Sequence, residues 1–189
     1  MNMTWKVLCW MNLPNILTLS RMVLTLPVLV LLMTGNTIGY YFSFAVFLIA
    51  SLTDFFDGRI ARKRGLVTDL GKFLDQIADK ILVTSIFLGF MALSKVSLWF
   101  LFVVVTRDTV VSGIRMVASN KGKVIAADIF GKAKTVSQMT FLILLYSNLL
   151  WDIPPRGVML WLEILIAAVT AISGANYLLK NIDIFKGGK

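Results

Sequence analysis

The 189-residue chain has no histidine and a single cysteine, Cys9. The first absence excludes serine–histidine–aspartate and cysteine–histidine catalysis, the histidine-dependent phosphodiesterase mechanism and every histidine-ligated metal site. The second excludes an intrachain disulfide. Four prolines and 13 glycines are too few for a low-complexity or collagen-like chain. Charge is also scarce. Only 15% of residues are charged, against about a quarter in ordinary soluble domains, and 58% are hydrophobic. Any chemistry must therefore come from carboxylates, lysine, arginine, hydroxyls or a bound metal.

What the chain does have is long apolar runs. Residues 16–33 are interrupted only by Arg21 and residues 158–179 only by Glu163, while 38–53, 81–94, 96–106 and 135–151 carry no charge. A bilayer-crossing helix needs about 20 mostly apolar residues. The pattern predicts an all-α integral membrane protein with six transmembrane helices, near 15–34, 38–61, 70–93, 97–118, 133–151 and 157–179. Residues 1–11, with Trp5, Val7, Leu8 and Trp10 around Lys6, read as a short N-terminal interfacial helix. The alternative is a frayed terminus that touches headgroups. Residues 12–189 read as one six-helix membrane domain.

The net charge of +9 invites a nucleic-acid partner, which the apolar runs exclude. With the termini and the 62–72 and 115–134 links on one side, that side holds all 19 basic residues except Lys95 and Arg156. The positive-inside rule makes it the cytoplasmic side.

Carboxylates belong outside a membrane, yet Asp54, Asp57, Asp75 and Asp79, four of the ten, fall at the end of the second span and the start of the third. Asp54 and Asp57 are three apart and Asp75 and Asp79 four apart, so each pair shares a helix face. A short link makes the two helices antiparallel neighbours, and the four groups converge near the cytoplasmic surface. Such charges repel by about 1 kcal/mol per pair in water and about 4 kcal/mol at an intermediate dielectric. Protons or cations must neutralise them. An all-oxygen set suits Mg²⁺ or Mn²⁺, and two ions would neutralise it and could clamp a displacement at phosphorus. Arg62 beside them suits an anion, and Gly58 and Gly71 remove side chains where a ligand packs. Singly, each feature has a plainer meaning. Asp54 or Asp57 could pair with Arg59, and Gly58 could serve helix packing.

Together the residues spell Asp54-x-x-Asp57-Gly58-x-x-Ala61-Arg62, eight residues, then Gly71-x-x-x-Asp75-x-x-x-Asp79. This is similar to the signature of the CDP-alcohol phosphotransferases. One departure is Gln76, where many relatives have proline. Residues 12–21, 107–115 and 124–135 resemble members of that family that make phosphatidylglycerophosphate in bacteria, so the likeness covers about 12–150. It implies a six-helix catalytic domain, often a homodimer, in the bacterial cytoplasmic membrane, with the active site and both termini facing the cytoplasm. Asp54, Asp57 and Asp75 would bind the metals, completed by Asp79, which would also be the general base. Asp57, Gly58, Ala61, Arg62, Gly71 and Asp75 would hold the CDP part of the donor. The implied reaction joins CDP-diacylglycerol and sn-glycerol 3-phosphate to give phosphatidylglycerophosphate and CMP.

The acceptor must be held by its phosphate. Arg107 and Arg115 are eight apart and share a face, and Lys132 and Lys134 begin the fifth span on the same side. Arg107, Arg115 and Lys132 are the expected phosphate ligands, with Lys134, Thr18 and Arg21 as further candidates. The alternatives are an Arg107 pair with Asp108 or Asp128, and lysines that merely meet lipid headgroups. Two rival functions stand beside this one. A cardiolipin synthase of the same fold would use phosphatidylglycerol as acceptor. An ion-coupled transporter or channel would use the carboxylates as a path, but Glu163 alone lies toward the other side within a span.

Overall fold

The structure, a computed structural model, describes residues 13–63, 69–120 and 129–182. These residues form six helices: α1 Leu13–Met33, α2 Thr37–Lys63, α3 Asp69–Ala92, α4 Leu98–Asn120, α5 Ile129–Trp151 and α6 Arg156–Lys180. Each apolar segment expected to span is a helix with ends shifted by a few residues. The expected interfacial helix at 1–11 lies outside the described residues. Among the described residues, two helices are apolar and long enough to cross a bilayer, over Asn15–Met33 and Arg156–Lys180, and Thr37–Thr53 is a shorter apolar stretch. The mean hydropathy of the others is diluted by polar groups. α4 carries Arg107, Asp108 and Arg115, and α5 carries Lys132, Lys134, Gln138 and Asn148.

The chain divides into two compact units, Met1–Gly89 and Phe90–Lys189. In the first, α1 and α2 form a helical hairpin. Gly35, at φ +72°, makes the turn in the left-handed region that glycine enters without a steric penalty. Asn36 then caps α2, its Oδ1 accepting the Gly39 N–H at 2.6 Å. The hairpin closes tightly at Gly39, where a Cβ would stand 2.7 Å from the Leu31 carbonyl oxygen. Lower down, the Ser43 hydroxyl donates to the Val28 carbonyl across the two helices at 2.8 Å. Val28, Leu32, Phe47, Ala50, Leu82 and Ile86 are buried in this unit. A side chain at Gly39 forces the backbones apart. Gly39→Val is therefore expected to cost about 1–3 kcal/mol, seen as a lower midpoint in a thermal-shift assay of the purified protein.

In the second unit α4 and α5 both pack on α6. Aromatic rings fill its interior: Phe90 meets Tyr146 edge-on at 5.0 Å, and Phe100 meets Phe141 at 5.3 Å. Val111, Ile114 and Ala118 of α4 close around Tyr177 of α6. Glu163 is buried on α6 and accepts hydrogen bonds from the backbone N–H and the hydroxyl of Ser97. It thus ties the start of α4 to α6, and Ser97 caps α4, its Oγ accepting the Phe100 N–H at 3.2 Å.

Two helices, α6 and α1, turn polar residues inward and apolar ones outward, unlike helices of a water-soluble bundle. The buried face of α6 reads Met159, Glu163, Ile166, Thr170, Ser173 and Tyr177, at successive spacings of three and four. Its outward face carries Trp161, Leu165, Ile172 and Leu179, each at least 60% exposed. α1 repeats the pattern. Asn15, Thr18, Arg21 and Thr25 point inward, and Val23, Leu26 and Val30 outward. A soluble helix turns its apolar stripe in.

Candidate active site

The carboxylate signature falls on two helices of the first unit. Asp54, Asp57, Gly58, Ala61 and Arg62 occupy the last turns of α2. Gly71, Asp75 and Asp79 occupy the first turns of α3. The five residues between the helices limit their ends to about 20 Å apart. The side chains of Asp54, Asp57, Ala61 and Arg62 lie outside the described residues. Those of Asp75 and Asp79 are described, and Asp79 is half-buried.

Asp75 does not stand alone. Its Oδ1 accepts a hydrogen bond from Nη1 of Arg21 at 3.3 Å, an ion pair between α3 and α1. The arginine is 2% exposed and the aspartate side chain 58%. Arg21 is thus anchored in the helix interface and the carboxylate stays open. Oδ2 of Asp75 receives no hydrogen bond from the described residues. Arg21 is held in turn, because the Thr25 hydroxyl bonds its carbonyl at 3.0 Å. Thr18 lies on the same buried stripe of α1. Arg21 and Thr18, expected beside the acceptor phosphate, therefore belong to the unit that carries the aspartates, and Arg21 touches one of them.

The second unit gathers the basic residues. Arg107 is nearly buried. Its Nη1 donates to Asp108 Oδ1 at 3.2 Å and its Nη2 to Ser173 Oγ at 2.9 Å. Lys134 Nζ reaches the other oxygen of Asp108 at 2.6 Å. Asp108 therefore bridges an arginine of α4 and a lysine of α5. The pair expected as an alternative for Arg107 is present, and Lys134 shares it. Asp128, the other alternative partner, lies outside the described residues. Arg107 Nε is buried and finds no acceptor among the described residues.

Glycine makes room for this arginine. A Cβ on Gly174 would stand 2.8 Å from Arg107 Cγ, and one on Gly131 would stand 3.8 Å from Nη2. Two turns further along α4, Arg115 Nε donates to the Tyr177 hydroxyl at 3.1 Å, and its guanidinium carbon lies 5.6 Å from the ring centroid. Both partners are neutral, so Arg115 meets no carboxylate among the described residues. Arg107 and Arg115 do share a face, as their spacing predicts. Lys132 is exposed and makes no ion pair there, whereas Lys134 is buried.

Ser173, Gly174 and Tyr177 were not among the expected site residues. Their signal was present: Ser173-Gly174-Ala175 is a run of small residues in an apolar helix, with a tyrosine one turn after the serine.

The whole arrangement can be set against known proteins. Residues 11–170 match the family model described as CDP-alcohol phosphatidyltransferase. The chain belongs to this family. Among its CDP-alcohol phosphatidyltransferase relatives, a Bacillus subtilis (strain 168) protein named CDP-diacylglycerol--glycerol-3-phosphate 3-phosphatidyltransferase is 33% identical over 192 residues, covering 93% of this chain and 97% of the relative. A Rickettsia bellii protein of the same name is 35% identical, covering 88% and 93%. A Mycobacterium tuberculosis protein named as a probable phosphatidylglycerophosphate synthase is 38% identical over 130 residues, covering 67% and 62%. The family match contains every aspartate of the signature and also Arg107, Arg115, Lys132 and Lys134. It ends before Ser173 and Tyr177.

Proposed function

We propose that the chain transfers the phosphatidyl group of CDP-diacylglycerol to sn-glycerol 3-phosphate, forming phosphatidylglycerophosphate and releasing CMP. The carrying observation is the pair of arginines on one face of α4. Among the described residues, one has a buried Nε–H without an acceptor, and the other is held by a neutral tyrosine and meets no carboxylate. Both can still take an anion, and a phosphate-bearing acceptor supplies one. The names of the relatives point to the same acceptor.

Arg107, Arg115 and Lys132 grip the acceptor phosphate, with Lys134 set beside them by Asp108. Asp54, Asp57, Asp75 and Asp79 hold two Mg²⁺ or Mn²⁺ ions. Asp75 fits this role, because its exposed carboxylate keeps one oxygen clear of hydrogen bonds among the described residues while Arg21 fixes the other, and oxygen donors suit hard cations. When bound, the metals supply charge neutralisation at the diphosphate. Asp57, Gly58, Ala61, Arg62, Gly71 and Asp75 seat the CDP moiety. Asp79 takes the proton from the primary hydroxyl of the acceptor as that oxygen attacks the phosphatidyl phosphorus. The bond from this phosphorus to the CMP oxygen breaks, and CMP leaves. An aspartate is a weak base, with a pKa of about 4 in solution, so the proton moves late and positioning supplies most of the catalysis.

The six helices span the bacterial cytoplasmic membrane, with both termini and the active site on the cytoplasmic side, and the protein works as a homodimer in lipid. The inverted polarity of α1 and α6 supports this, since an apolar outer face is stable against acyl chains. One oxygen of Glu163, the carboxylate that a transport path would need, is taken by Ser97 at the start of α4.

Purified full-length protein given CDP-diacylglycerol and Mg²⁺ is expected to release CMP when sn-glycerol 3-phosphate is added. A chelator should abolish release and fresh Mg²⁺ or Mn²⁺ restore it. Release with phosphatidylglycerol in place of glycerol phosphate would assign the protein to cardiolipin synthesis. Silence with every acceptor would sink the transferase reading.

A further inference from the structure

A cavity lies in the unit Phe90–Lys189, at the ends of its helices away from Arg107 and Lys134. It has a volume of about 380 Å³, within the roughly 300–1,000 Å³ of small-ligand sites. Along α6, Glu163 at the cavity is ten residues, about 15 Å of helix, from Ser173. Along α5, Asn148 is fourteen residues, about 21 Å, from Lys134. The cavity is therefore not the acceptor site.

Three charged side chains line it: Lys95, Arg156 and Glu163. No ion pair joins them. Lys95 Nζ donates to Asn148 Oδ1 at 3.1 Å, and the Asn148 amide donates to the Pro154 carbonyl at 2.7 Å. The ammonium is thus held in place, with donors to spare. The Arg156 side chain makes no hydrogen bond or ion pair among the described residues. Glu163 is 6% exposed. One of its oxygens is taken by Ser97, and the other, Oε2, accepts nothing from the described residues. Leu98 and Leu160, 64% and 53% exposed, flank the opening with apolar surface.

We infer that this cavity binds the headgroup of an anionic phospholipid, its phosphate between Lys95 and Arg156 and a headgroup hydroxyl donating to Glu163 Oε2. The reasoning is charge complementarity. Two cations that make no ion pair and one half-used carboxylate match a ligand with a phosphate at one end and a hydroxyl donor at the other. The leucines match the first carbons of acyl chains. The inference rests on the membrane reading above. On that reading, Lys95 and Arg156 are the two basic residues of the 19 placed on the side opposite the active site, and both line this one cavity. The ligand is thus a lipid of the far leaflet.

The test uses full-length protein in detergent, wild type and the Lys95→Gln/Arg156→Gln double variant. Each is titrated with palmitoyl-oleoyl phosphatidylglycerol, with the phosphatidylcholine of the same chains, and with inorganic phosphate. Bound species are counted by native mass spectrometry. The active site also takes lipid, so the readout is the difference between the two proteins. Phosphatidylglycerol is expected to bind the variant roughly tenfold more weakly or worse. Phosphatidylcholine, which has no headgroup donor, should change little, and CMP release should be the same in both proteins. Equal phosphatidylglycerol binding by the two proteins overturns the inference. Displacement of the lipid by millimolar inorganic phosphate overturns it too, because the cavity is then a site for free anions. CMP release absent from both proteins speaks against the transferase reading, and the titration still decides the cavity.

Discussion

Asp79→Asn is expected to lower the rate of CMP release by roughly 10²–10⁴-fold, the usual worth of a positioned acid or base. Asparagine has nearly the same shape, and the position lies inside α3, where one amide for one carboxylate leaves the helix intact. What is lost is the ability to take a proton from the acceptor hydroxyl. Binding of both substrates should change far less than the rate. The variant also separates the two roles proposed for this residue. If Asp79 acts mainly as base, the Mg²⁺ concentration giving half-maximal rate stays near that of the wild type. If it acts mainly as metal ligand, that concentration rises steeply and the residual rate recovers at high metal. A variant within tenfold of the wild-type rate would remove Asp79 from the mechanism.

The second large effect is on the acceptor. Arg107→Ala is expected to raise KM for sn-glycerol 3-phosphate by roughly 10- to 150-fold, since a hydrogen bond to a charged group is worth about 1.5–3 kcal/mol. KM for CDP-diacylglycerol should stay within a factor of about two. Arg107→Lys should fall between, because an ammonium keeps the charge and loses the planar fork. Gly174→Val tests the same claim without touching the arginine. A side chain there meets Arg107 Cγ, which a Cβ alone would already approach to 2.8 Å. The guanidinium must swing off Ser173, and KM for the acceptor should rise in the same direction. If both variants lowered kcat alone and left KM for the acceptor unchanged, Arg107 would be a structural arginine paired with Asp108.

These effects depend on features that the sequence reveals unequally. Apolar runs locate all six helices, because a run of about 20 such residues has few other uses. Spacing alone places Asp75 and Asp79 on one face of α3, and Arg107 and Arg115 on one face of α4. Which lysine turns inward is another matter. Lys132 and Lys134 are two residues apart, about 200° around the helix axis, so only one can face Asp108. The rotation of α5 that decides this comes from packing. Lys134 turns inward and Lys132 outward. Contacts distant in sequence were hidden for the same reason. Arg21 and Asp75 are 54 residues apart, and Arg107 and Ser173 are 66 apart. Hydropathy also shows that α6 is apolar without showing that Glu163, Thr170, Ser173 and Tyr177 turn inward.

The central claim is that a phosphatidyl group moves from CDP to the hydroxyl of glycerol phosphate. The most direct measurement incubates purified protein with CDP-diacylglycerol, Mg²⁺ and isotopically labelled sn-glycerol 3-phosphate, and identifies the lipid product by mass spectrometry while CMP is counted. Phosphatidylglycerophosphate should appear carrying the label, in equal amount to CMP. CMP accompanied by unlabelled phosphatidic acid would mean that water is the acceptor, and unchanged CDP-diacylglycerol would mean that no transfer occurs. Either result would contradict the account.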